Sequence, residues 1–175
     1  MEAALQENEE RLRAIINTAP VGMALVMDRK IIMGNHLLGE MLGYDPDKMV
    51  GMQTRSFYVD DEEWERVGQA VYPALERDET VSIEVQMRHS GGKSFDVLLN
   101  ASAFMLATGP REIIVTFLDI SDRKRDEEAL LKSEAKFRRL FNVAGIPLVY
   151  VRANGNIQLL NNKFTELFGY TVAEM

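Results

Sequence analysis

Few residues in this chain are suited to chemistry. His36 and His89 are its only histidines, and neither belongs to a His-x-x-x-His pair or stands at metal spacing from carboxylates. With no cysteine, disulfides, thiolate nucleophiles, iron–sulfur clusters and cysteine-ligated zinc are excluded together. Gly92-Lys93-Ser94 ends like a phosphate-binding loop, but Met87 stands where the first glycine belongs and the flanks read as a hairpin. The acidic run Asp60-Asp61-Glu62-Glu63 opens a helix, where the helix dipole accounts for negative charge without a bound cation. No nucleophile, base and orienting group occur together, so the chain reads as no enzyme and as metal-free. What remains is an apolar set. Met23, Met41, Phe57, Tyr58, Trp64 and Phe104, with Asn35, are the candidates to line an interior pocket, and ten methionines make that interior adaptable to a small apolar ligand. The alternative is a plain packed core.

An apolar fraction of 46% beside 27% charged residues places these positions in a water-folded globular chain. Its longest apolar run, Val21 to Met27, is far shorter than the roughly 20 residues that cross a bilayer. The net charge of -7, with no segregated basic patch, excludes a nucleic-acid surface. A reducing, cytoplasmic setting without membrane contact is the expectation.

The chain repeats itself. At an offset of 125, Glu2, Ala4, Leu5, Glu9, Arg13, Asn17 and Ala19 meet Glu127, Ala129, Leu130, Glu134, Arg138, Asn142 and Ala144. After one inserted residue near Asn154-Gly155, Ile31, Asn35, Glu40, Gly43, Tyr44 and Met49 meet Ile157, Asn161, Glu166, Gly169, Tyr170 and Met175. The expected organisation is an amphipathic helix over residues 1–17, a complete domain over 18–120, a linker helix over 121–141, and the opening part of a second domain over 142–175. That last segment lacks the strands to cover its apolar faces, which points to a longer parent.

Leu5, Leu12, Ile15 and Ile16 recur at helical spacing, predicting a helix over residues 3–17. Val21–Met27 and Lys30–Gly34 read as a hairpin turning at Asp28-Arg29, and His36–Leu42 as a short helix ended by Gly43. A helical turn follows Pro46. Asp60 and Glu63 frame the start of a helix over 60–77, with Trp64, Val67, Val71 and Leu75 on one face. Three antiparallel strands around Val81–Met87, Phe95–Leu99 and Ile113–Leu118 complete an α+β plan.

Asn35 before a short helix closed by Gly43-Tyr44, repeated as Asn161 and Gly169-Tyr170, resembles the strand-to-helix signature of the PAS sensor domains. The run Arg88 to Phe95 is similar to that family's basic, glycine-containing hairpin, and Asp119-Ile-Ser-Asp-Arg123 to its closing PAC motif. The resemblance implies a PAS fold: a five-stranded antiparallel sheet of order 2-1-5-4-3, short helices folded over one face around a small pocket, and a helix leaving the last strand. It also implies a sensory, signal-transducing role in a bacterial protein. There a ligand or partner signal passes down the linker helix to an effector, a histidine kinase of a two-component system or a diguanylate cyclase. The alternative is a ligand-free dimerisation scaffold.

On that resemblance, haem held by a central-helix histidine has no ligand in residues 60–77, and cysteinyl-flavin photochemistry has no cysteine. Non-covalent flavin or a small apolar ligand stays open. Asp119, ending a strand, and Arg123, four residues on, are the candidates for signal transfer, through capping and pairing at the first turn of the linker helix. Leu130, Phe137, Leu140 and Phe141 form an apolar stripe suited to a parallel homodimer contact, or to packing on the chain's own sheet.

Overall fold

The computed structural model describes residues 14–105 and 111–171, together with Glu7 and Arg11. Residues 14–18 are helical, as are Glu7 and Arg11; the rest of the helix expected over residues 3–17 lies outside the described residues. The chain divides into two units, Met1–Asp122 and Arg123–Met175.

In the first unit the order is β1 (Gly22–Met27), β2 (Lys30–Gly34), α1 (His36–Leu42), α2 (Pro46–Met49), a 3-10 turn (Thr54–Phe57), α3 (Asp61–Glu76), β3 (Val81–Arg88), β4 (Ser94–Met105) and β5 (Arg111–Asp119). The strands form one antiparallel sheet in the order β2-β1-β5-β4-β3, the order the family resemblance implies. Asp28 and Arg29 join β1 to β2 with φ of 49° and 60°. Two consecutive left-handed residues give a two-residue turn the twist of its strands. Strand alternation then sets the inner face: Ala24, Val26, Val85, Met87, Val97, Leu99, Ala101, Val115 and Phe117 are buried, whereas Met33, Ile114 and Leu118 are exposed. The helices cover the inner face with Leu38, Leu42, Phe57, Val67, Val71 and Leu75. Each such side chain contributes about 1.5–3 kcal/mol when taken from water.

Local chemistry fixes the helix ends. Gly43 closes α1 at φ 74°, and a Cβ there would stand 2.4 Å from the His89 ring and from Ser90 Oγ. Ser90 donates its backbone N–H to Leu42 O (2.8 Å) and its hydroxyl to Gly43 O (2.7 Å), so the β3–β4 hairpin caps α1. Asp45 and Asp60 cap α2 and α3 by accepting from the backbone N–H of Asp47 and Glu63. The acidic run thus acts at its helix start: Asp60 as the cap, Asp61 paired with Arg55, and Glu63 paired with Arg66.

The long helix α4 (Ser121–Val143) opens at the end of the first unit and runs two residues past the predicted boundary at 141. In the second unit β6 (Val149–Val151) and β7 (Ile157–Leu160) pair antiparallel, and α5 (Asn162–Phe168) follows. These repeat β1, β2 and α1 in detail. The register slips between Leu25 and Val26 in the first hairpin and between Tyr150 and Val151 in the second, and the inserted residue falls in the second hairpin's turn. Gly169 closes α5 at φ 76°. Among its described residues Asn161 is the only buried one. No described helix is long and apolar enough to cross a membrane.

Candidate functional site

Between α3 and the inner face of the sheet lies a cavity of about 60 Å³. Val26, Met87, Leu99, Ala101, Val115 and Phe117 form its floor, and Val67, Gly68 and Val71 of α3 its roof. Its polar lining comes from Thr54, Tyr58, Trp64 and Tyr72. A cavity of about 150 Å³ lined by apolar side chains holds benzene with its six heavy atoms, so this volume suits a group of about two to three heavy atoms.

Of the pocket candidates named from sequence, Phe57, Tyr58 and Trp64 line the cavity. Met23, Met41, Phe104 and Asn35 do not. Met23 and Phe104 alternate with the inward residues of β1 and β4, so the pleat turns them to the other face. Met41 sits beneath Gly22, its Sδ 3.0 Å from where a Cβ would be. Asn35 is buried, but among backbone groups.

In the sequence Arg29 signals only a turn, and Gly68 and Tyr72 carry no signal as site residues. Trp64, Gly68 and Tyr72 stand at i, i+4 and i+8 and so share one face of α3. The guanidinium of Arg29, reaching over from the β1–β2 turn, lies across that face with Cζ 4.3 Å from the Trp64 ring centroid and 4.8 Å from that of Tyr72. Gly68 leaves the slot, since a Cβ there would stand 3.0 Å from Nη2 of Arg29. Glycine inside a helix costs about 1 kcal/mol relative to alanine, and cation–π contact with two rings offsets it. Trp64 Nε1 donates to Thr54 Oγ1 at 3.2 Å, fixing the indole. Tyr58 is 7% exposed, and its hydroxyl makes no hydrogen bond to another described residue. Burial holds its phenol far above the ordinary range, with Tyr72 and Glu63 adding to the effect and Arg29 and Arg66 opposing it. Burial also raises Tyr72, against the pull of Arg29.

Two asparagines act as clasps. Asn35 Oδ1 accepts from Met23 N (2.9 Å) and Leu38 N (3.0 Å), while its Nδ2 donates to Ile16 O and Val21 O (both 3.0 Å). All four of its amide sites are thereby used, which is what makes a buried amide tolerable. Asn161 repeats the pattern: Oδ1 accepts from Leu148 N and Phe164 N, and Nδ2 donates to Phe141 O and Ile146 O. Phe141 lies in the last turn of α4, so the clasp of the second unit holds the helix end that enters it.

The other end of α4 is laced to the first sheet. Asp119, paired with Val97 across β4 and β5, accepts the Ser121 N–H at 2.8 Å, one of the donors a helix start leaves open. Ile120 donates its backbone N–H to Asp96 O at 2.9 Å, and Asp96 N donates to Ser121 Oγ at 3.1 Å. Arg123 lies in the first turn of the helix. No residue of α4 is buried; Leu130, Phe137 and Leu140 are exposed, and the Phe137 and Phe141 rings stack at 5.6 Å.

A family model described as a PAS domain matches residues 20–122, and a second model, also a PAS domain, matches residues 135–175. Among solved structures the chain is similar to the PAS domain, in complex with ethanol, of a LuxR-family transcriptional regulator from Burkholderia thailandensis. That match has 23% identity and a TM-score of 0.56, covering 62% of this chain and 96% of that one. It is similar also to the PAS domain of an HTR-like protein from Haloarcula marismortui, with 23% identity, 68% and 97% coverage and a TM-score of 0.58. A PAS domain from a two-component sensor histidine kinase matches at 16% identity, 65% and 97% coverage and a TM-score of 0.54. Identities this low carry the fold alone. No curated protein matches the chain.

Proposed function

Because the chain belongs to the PAS domain family, whose model matches more than half of it, we propose that a small molecule in the cavity beneath α3 shifts the sheet and, through β5, the start of α4. The observation that carries this reading is continuity. Val115 and Phe117 of β5 line the cavity, and two residues later the same strand ends in Asp119, whose carboxylate holds the first N–H of α4. A ligand that favours one sheet geometry over another biases that junction by its differential affinity for the two. Asp119 and Arg123 are the transfer residues in this reading, and α4 delivers the change to an effector of the histidine kinase or diguanylate cyclase type.

Native mass spectrometry and thermal melting against molecules of up to about six heavy atoms test the cavity's role. A true ligand at a hundred times its Kd stabilises the fold by about 2.7 kcal/mol. Ala101→Leu, which fills the cavity from its floor, abolishes the shift; an equal shift in that variant refutes the reading.

A second reading rests on α4. Its exposed stripe of Leu130, Phe137 and Leu140 suits a parallel two-helix contact, which makes the chain a homodimerisation scaffold around a packed core. Sedimentation with Leu130→Glu and Leu140→Glu separates the two: loss of dimer with ligand response retained leaves the sensory reading standing.

A further inference from the structure

We propose that the ligand of this cavity is a short-chain monocarboxylate of about two to four carbons, its tail in the cavity and its carboxylate held by Arg29 with Tyr58. The proposal deepens the sensory reading and rests on it.

Three observations converge. The cavity is small and its floor aliphatic, which suits a tail of a few carbons. Beside it lies a cation held by two aromatic residues, one of which, Tyr72, also shares a side-chain hydrogen bond with it. Arg29 stacks on Trp64 and Tyr72, and among the described residues no carboxylate lies within ion-pair distance of it, not even that of its chain neighbour Asp28. A guanidinium is a planar fork suited to bidentate capture of a carboxylate. Third, Tyr58, which lines the same cavity and is buried, has a hydroxyl without a hydrogen-bond partner among the described residues, and a buried donor left unpaired is costly. A carboxylate satisfies both groups at once. Its methylenes then meet Val67, Val71 and Leu99. The remaining charges nearby do not compete: Glu63 and Arg66 satisfy one another at 2.7 Å.

Isothermal titration with sodium butyrate and, separately, with the uncharged 1-butanol tests this on the whole chain. Butyrate is expected to bind, to lose at least tenfold in affinity in Arg29→Met and severalfold in Tyr58→Phe, and to lose less in Arg29→Lys, which keeps the charge without the fork. The affinity for 1-butanol stays within twofold in all three variants. Because Arg29 sits in a left-handed turn, Tyr58→Phe and Arg29→Lys carry the test if Arg29→Met fails to fold. Binding of 1-butanol without butyrate overturns the carboxylate proposal and leaves the sensory cavity standing. Binding of neither overturns both. Butyrate affinity unchanged in Arg29→Lys and in Tyr58→Phe also overturns the proposal.

Discussion

Asn35 and Asn161 show how one buried side chain can organise a domain entrance. Each amide joins a preceding helix, the segment that enters a hairpin and a following helix through four hydrogen bonds. Asn35→Ala removes the bridging group and leaves two carbonyls and two N–H groups to find other partners, so it should destabilise the first unit by roughly 3 kcal/mol or more. A lowered urea midpoint with an unchanged slope is the expected record. The repeat made both asparagines visible in the sequence; their partners were not, because the carbonyls of Ile16, Val21, Phe141 and Ile146 carry no residue-specific signal. Placing Asn35 in the pocket was therefore a reasonable inference from its setting, whereas the folded chain commits it to the backbone. Gly68 gives the opposite case. A Trp-x3-Gly-x3-Tyr spacing is readable as an open slot on a helix, yet its occupant comes from a hairpin turn far upstream. Gly68→Ala should displace the guanidinium against the rings by a few tenths of an ångström. Trp64 is the only tryptophan, so a change in intrinsic fluorescence with the fold intact reports that displacement directly.

Elements hold their places here through specific polar ties as well as apolar faces. Helix α3 is pinned to β3 by Glu63, which accepts Gln86 N at 2.8 Å and pairs in bidentate fashion with Arg66, while Arg66 donates to Glu84 O at 2.9 Å. The hydrogen bonds from Arg66 hold the Glu63 carboxyl below its ordinary range despite partial burial, and the bond from Gln86 adds to the effect. A carboxylate whose pKa falls on folding contributes stability that is fully present above its unfolded value, about 4.3, and lost as pH drops through the lower folded value. Glu63→Gln should therefore cost on the order of 1 kcal/mol at neutral pH and flatten the acid limb. Urea midpoints taken from pH 7 to pH 3 check both parts. Most elements were legible from hydrophobic spacing and caps, including the Asp60 cap and the Gly43 stop. The tie between α3 and β3 was not, since Glu63 signalled only a capping box and its second partner belongs to another element.

At the scale of the molecule, one sheet order explains both the cavity and its route outward. The chain order brings β5 to the middle of the sheet, between β1 and β4, where it floors the cavity and also becomes the strand that α4 leaves. That arrangement followed from the family resemblance; loop lengths alone gave only the antiparallel neighbours β3, β4 and β5. The resemblance implied a small pocket, but its size and most of its lining were not legible, because 60 Å³ is a small mismatch in packing among large side chains that composition cannot register. The account stands on coupling between that cavity and the first turn of α4. Hydrogen exchange at the amides of Ile120 to Arg123, measured with and without saturating cavity ligand in the native chain and in Ala101→Leu, tests it most directly. A severalfold change in exchange is expected in the native chain and none in Ala101→Leu; unaltered exchange in the native chain with the cavity demonstrably filled would refute the coupling.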